Sequence, residues 1–280
     1  MKKIRFSDVI LRFLIWAFSF ITIGILAWII GYVLYKGLPY IFTHFNFLFD
    51  NYKPGLGKTG ILPMIMVTLE VILITILIAA PVGICSAIYL VEYSRPGRLL
   101  SLIRFSTESL AGIPSIIYGL FGYIMFVTAF HLRFSILAGS LTLSIMVLPT
   151  IIRTTEEALK TVPVSYKEGS LALGATKLTT IFRIILPSSI PGILTAVILT
   201  IGRIIGESAA VYFTAGWVAQ FPRVMRSGRT LSVHLYYLVK EGISIEQSFA
   251  TAAVLIILVA LLNFAASSAA SRLKRSASGN

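Results

Sequence analysis

Glu168-Gly169-Ser170-Leu171-Ala172-Leu173-Gly174, followed by nine residues, Ile184 and then Leu186-Pro187, is a polar, glycine-marked stretch between two long apolar runs. Ser165-Tyr166-Lys167-Glu168 just ahead of it has the spacing of a capping box, with Ser165 and Glu168 each satisfying the other's backbone N–H. Pro163 blocks continuation from the preceding helix, and Gly174 supplies the left-handed residue that ends one. The spacing therefore predicts a short helix over Tyr166–Leu173. Such a helix is not stable alone and has to pack on something.

The surrounding chain says what kind of body carries it. Hydrophobic residues make up 57% of the sequence and charged residues 12%, with a mean hydropathy of +0.90. Soluble domains carry about 25% charged residues. The net charge of +13 does not point to nucleic acid, because the basic residues flank apolar runs rather than forming a stripe. The one cysteine, Cys85, excludes an intrachain disulfide and a CxxC motif. No metal site and no cofactor are expected.

A spanning helix takes about 20 apolar residues. Six runs qualify: Phe13–Tyr35, Ile61–Leu90, Ser109–Phe130, Ser135–Ile152, Ser188–Phe213 and Phe249–Ala270. The first is too long for a cleaved signal peptide and reads as a retained anchor. The turn His131–Phe134 makes the third and fourth an antiparallel pair. Lys36–Gly60 reads as an external loop. Fifteen Lys and Arg residues fall on the side of Glu156–Leu186 and both termini, against eight on the other. The positive-inside rule then puts both termini and the short helix in the cytoplasm.

The stretch Glu168–Pro187 resembles the EAA signature of importer-type ABC permeases, the segment gripped by an ATPase subunit. Gly169-Ser170 stand where that pattern has two alanines. Both are small, so close approach is kept, although glycine weakens a helix by about 1 kcal/mol relative to alanine. Further likeness lies in Gly112-Ile113-Pro114-Ser115, Leu171–Thr176, Leu186–Thr195 and Arg203-Ile204-Ile205-Gly206-Glu207-Ser208-Ala209. Together with Phe213–Gly216 and Val233–Tyr236, these make the chain similar to the PstA-type permease family of bacterial phosphate importers.

The resemblance implies an all-α, polytopic protein with the type I ABC importer permease fold, located in the bacterial inner membrane. It implies residues 1–60 as an anchor helix and external loop. Residues 61–272 would be the transport domain, with its coupling helix near 165–174, and residues 273–280 a cytoplasmic tail. It implies a non-catalytic subunit forming half of a phosphate pathway. Its partners would be a PstC-type permease, two copies of a PstB-type ATPase, an external PstS-type phosphate-binding protein and membrane lipid, with no nucleic acid. The coupling residues would be Tyr166, Glu168, Gly169, Ser170, Leu171, Leu173 and Gly174.

Arg203 and Glu207 are four apart near the middle of an apolar run, which puts them on one helix face. A charge there costs about 2.5–3.5 kcal/mol on insertion scales, so it faces a cavity or a partner. Either the two neutralise each other, or Arg203 offers its planar fork to an oxyanion while Glu207 keeps binding weak enough for release. Pro114, Pro187 and Pro191 mark helix breaks, as hinges or as static bends. Ser115 and Thr195 are candidates to bond the freed carbonyls. Glu70 reads as a helix–helix hydrogen-bonding group. Arg104 and Glu108 read as a pair on one face, and Arg223, Arg226 and Arg229 as a solvated external run, or else an attractor for an acidic protein or for phosphate.

Competing readings are a permease for molybdate or sulfate, the paired PstC-type subunit, an ion-coupled secondary transporter and a membrane enzyme. A secondary transporter would show inverted repeats, and none is detectable. An enzyme would need a nucleophile–base pair, a metal cluster or a phosphate loop, and Gly55-Leu56-Gly57-Lys58 lacks the P-loop spacing.

Overall fold

A computed structural model describes residues 6–53 and 58–277. The expected N-terminal basic cluster Lys2, Lys3 and Arg5, the loop residues Pro54, Gly55 and Gly57, and the last three residues of the tail lie outside the described residues. Helix α1 (Phe6–Thr43) is followed by a short α2 (Asn46–Phe49). A two-residue antiparallel ribbon comes next, β1 (Tyr52–Lys53) with β2 (Lys58–Thr59). Then come α3 (Leu62–Ile88), α4 (Arg98–Ala111), α5 (Ser115–Gly122) and α6 (Ile136–Lys160). The remaining helices are α7 (Val164–Ala172), α8 (Lys177–Thr180), α9 (Leu186–Gly206), α10 (Ala209–Thr214), α11 (Leu231–Lys240) and α12 (Ile245–Ala277).

Five of the expected spans are long apolar helices, and the third is an elbow. Arg98–Ala111 and Ser115–Ala129 meet at 100°. Pro114 stands at the bend and opens α5 with an extended backbone; a missing N–H costs no helical bond at a helix start. Expected boundaries shift elsewhere. Helix α1 continues through Lys36 and Pro39, residues read as loop, because Leu34, Leu38 and Ile41 pack with α12 and the start of α3 in an apolar cluster. The fifth span, read as continuous to Phe213, stops at Gly206, and Glu207 is extended with ψ 121°.

The core is built by α3 and α6. Val67, Val71, Ala79, Leu143, Met146, Val147 and Ile151 are buried between them and join residues of α9, α10 and α11. Lipid is as apolar as leucine, so membrane helices associate through small residues and hydrogen bonds. Both occur on this seam. Thr75 Oγ1 donates to the Ser140 carbonyl at 3.4 Å, and Ser144 Oγ donates to that of Thr75 at 3.3 Å. Gly83 lies so close to α6 that a Cβ would fall 2.6 Å from Ile151 Cγ2.

Among the described residues, three π-helical turns interrupt the bundle, at Tyr89–Tyr93 after α3, Tyr123–Ala129 after α5 and Ile181–Ile185 before α9. The last precedes Pro187, which deprives the Arg183 carbonyl of its helical donor. Ser188 Oγ and Ser189 Oγ donate to the carbonyls of Ile184 and Ile185 at 2.6 and 2.9 Å. Thr195 bonds the Pro191 carbonyl at 3.0 Å.

Candidate functional site: a short docking helix and a mid-bundle arginine

Helix α7 begins with Pro163 at its N-cap and no side-chain cap. The expected capping box does not form. The helix starts two residues earlier than the box requires, so Ser165 lies inside it, and Glu168 is exposed. The C-terminal stop is as expected: Gly174 has φ +83°, and the N–H groups of Gly174 and Ala175 return to the carbonyls of Leu171 and Ser170.

The helix has two faces. Ser170 is buried and shares a 2.9 Å hydrogen bond with Thr180 on α8. Val164, Tyr166, Leu171 and Leu173 are exposed, the last at 91%. Gly169 has open space where its Cβ would be. An apolar, small-residue face thus looks away from the protein, and the residues singled out for coupling lie on or beside it, apart from Ser170. Val164 belongs with that face; it was missed because the helix was expected to begin at Tyr166. Lys167 was also missed. It turns inward to Glu92 at 2.5 Å, a contact across the sequence that no local pattern announces.

Arg203 sits in the last turn of α9, half-buried, and donates to Thr150 Oγ1 of α6 at 3.4 Å. Glu207 follows the end of the helix, so the shared helix face does not exist. Among the described residues no ion pair joins the two. The Glu207 side chain lies near Ser115, beside Pro114 at the elbow, and within range of the Arg203 charge. Its backbone carbonyl, freed by the break, accepts from Ser232 Oγ at 2.7 Å. That satisfies the rule that broken helices in a membrane need protein partners.

Thr150 also lines a cleft of about 320 Å³ between α4 and α6, with Arg104, Glu108, Arg153 and Glu156. The expected Arg104–Glu108 pair is replaced. Arg104 binds the buried Glu156 at 2.5 Å, and Glu108 faces Arg153 at 3.8 Å. The α4–α6 packing offers Arg104 a desolvated carboxylate, which outcompetes an exposed neighbour on its own helix.

At the opposite end, Arg229 is buried rather than solvated. Its Nε donates to the Trp217 carbonyl at 2.7 Å, and its guanidinium lies 4.1 Å from the Tyr237 ring centroid and 5.4 Å from that of Tyr52. Arg223 and Arg226 are exposed. His234 on α11 stacks edge-on with Tyr52 and lies 3.3 Å from an Arg229 nitrogen through Nδ1. Burial and, after it, the neighbouring Arg229 charge push the His234 imidazole down to about 3. Burial holds the Tyr52 phenol above its usual range, against the pull of Arg229.

This arrangement, an apolar bundle with an elbowed span and a clamped short helix at one end, defines an importer-type membrane subunit. Residues 79–278 match the model of the binding-protein-dependent transport system inner membrane component family, and the chain belongs to that family. Members are non-catalytic membrane subunits of ABC importers, whose second permease, ATPase and substrate-binding protein are other chains. The chain is 33% identical over 266 residues to the probable ABC transporter permease protein YqgI of Bacillus subtilis, covering 88% of this chain and 89% of that one. It is 37% identical over 191 residues to the phosphate transport system permease protein PstA of Pasteurella multocida, covering 68% and 67%. A bacterial alginate ABC transporter crystal structure superposes with a TM-score of 0.62 at 17% identity, over 96% of this chain and 93% of that one. The fold is that of type I ABC importer permeases.

Proposed function

We propose that this chain forms half of the pathway of an ATP-driven inorganic phosphate importer. In this reading the paired half is a PstC-type permease, one of two PstB-type ATPases docks on α7, and a PstS-type protein delivers phosphate from outside. The termini and α7 face the cytoplasm, as the basic-residue excess requires. Residues 61–272 form the transport domain, preceded by the anchor helix and its external loop. The PstA relatives support the substrate. The observation that carries the chemistry is Arg203, a permanent cation with one hydroxyl partner and no ion pair among the described residues, one residue removed from an open cleft through Thr150. A planar guanidinium left with free donors suits a tetrahedral oxyanion. Glu207, near enough for its charge to feel Arg203, limits how tightly the anion sits. Pro114 places Ser115 at this point, and Pro187 and Pro191 shape the approach of α9.

The test is transport in vesicles containing the complete importer, following labelled phosphate, sulfate and molybdate with and without ATP. Phosphate should accumulate only with ATP, and Arg203→Gln should insert normally and lose uptake. ATP-independent accumulation would favour a secondary transporter, and preference for sulfate or molybdate would reassign the substrate.

A further inference from the structure

Besides the Ser170–Thr180 bond, the inner face of α7 is fastened to the π-helical turn Tyr89–Tyr93 that closes α3. Lys167 Nζ lies 2.5 Å from Glu92 Oε2, and the Glu92 side chain is only 6% exposed. From the other side of the Gly174 turn, Lys177 Nζ donates to the Glu92 backbone carbonyl and lies 4.4 Å from the Tyr93 ring centroid. Two lysines from one segment thus hold the same residue of another. Beneath them Ala87, Ile88, Leu159, Ile181 and Ile185 form a separate apolar cluster joining the ends of α3, α6 and the turn before α9.

A displacement of α7 reaches the bundle by two routes. One runs along the chain through α8 into the π-turn Ile181–Ile185, where an irregular turn yields. The other crosses at Glu92 into α3, whose seam with α6 is the most extensive helix–helix contact among the described residues. The second is short and charge-assisted, and it removes a carboxylate from water, so separating the pair strands an uncompensated charge. We infer that Glu92 and Lys167 are positioning residues for ATP coupling: the pair makes α3, and through it α6 with Thr150, move with the docking helix. The inference rests on the reading of α7 as the ATPase dock.

The complete importer, with its ATPase and paired permease, is reconstituted with Lys167→Met, Glu92→Gln and the exchanged pair Lys167→Glu with Glu92→Lys. Lys167→Met strands the Glu92 carboxylate, so the melting temperature of each variant is measured beside its coupling. The expected result for Lys167→Met is an ATPase that stays bound and hydrolyses ATP, while solute moved per ATP falls about tenfold, the upper range for a site along a coupling network. The exchanged pair should recover most of the loss, and a melting temperature of Lys167→Met close to wild type would exclude lost stability as its cause. Wild-type solute per ATP in Lys167→Met, or no recovery in the exchanged pair, would overturn the inference. Leu173→Arg on the outer face separates the two readings. If that variant keeps its ATPase, the docking reading fails; if it loses the ATPase while Lys167→Met transports normally, only the Glu92 link fails.

Discussion

Arg203 and Arg229 solve the problem of a desolvated guanidinium in opposite ways. Arg229 is closed in by two aromatic faces, a carbonyl and an imidazole, and has the surroundings of a structural staple. Arg203 has one hydroxyl and retains donors for something else. The sequence distinguished Arg203 because a charge within an apolar run is costly. It gave no such signal for Arg229, whose rings come from Tyr52 and Tyr237 on different elements. The Arg229 staple also makes a pH prediction. His234 lies outside the spanning helices and is held neutral, with its pKa lowered from 6.5 to about 3. The unfolded chain takes up the proton first, so this contribution is intact above about pH 6.5 and falls away as pH drops toward 3, by at most about 1.4 kcal/mol per unit. Melting of the purified protein between pH 7.5 and 4.5 should therefore drop more steeply for wild type than for His234→Gln. Arg229 stays charged throughout and Tyr52 stays neutral, so neither masks the difference.

At the level of single elements, the stops on α7 were legible and its start was not. Proline and glycine act through their own backbones, so Pro163 and Gly174 declare themselves. The capping box depended on where the first turn begins, and Pro163 took the N-cap position itself. The same limit explains α9. A run of apolar residues from Ser188 to Phe213 carries no mark of the break at Glu207, because Ser115 and Ser232, which support it, belong to other helices. Gly174 supplies a test at this scale. At φ +83° a side chain costs about 1–2 kcal/mol, so Gly174→Val should loosen the last turn. Hydrogen exchange should quicken at the amides of Leu173 and Ala175, with the α3 amides unchanged.

In the whole molecule, six hydrophobic runs and a charge bias were enough to anticipate a polytopic helical bundle. They did not anticipate the elbow, since mean hydropathy is blind to direction and α4 is amphipathic rather than uniformly apolar. Nor did they reveal which helices form the seam, because lipid-facing and helix-facing residues have the same composition. The seam makes its own prediction. Gly83→Val would drive a methyl into Ile151, an overpacking cost of about 1–3 kcal/mol, and should lower both the melting temperature and the monodisperse fraction in detergent. Gly24→Val, placed in open space, should change neither.

The irregular turn at Ile181–Ile185 has an evolutionary corollary. A π-turn is an α-helix carrying one surplus residue, so losing that residue would restore a regular helix without breaking it. Such a deletion would swing Lys177 and everything before it by about 100° around the axis of α9, since one residue is 1/3.6 of a turn. The clamp on Glu92 forbids that rotation. A chain shortened by one residue there should therefore lose its hold on α3, although helical geometry alone would accept the deletion.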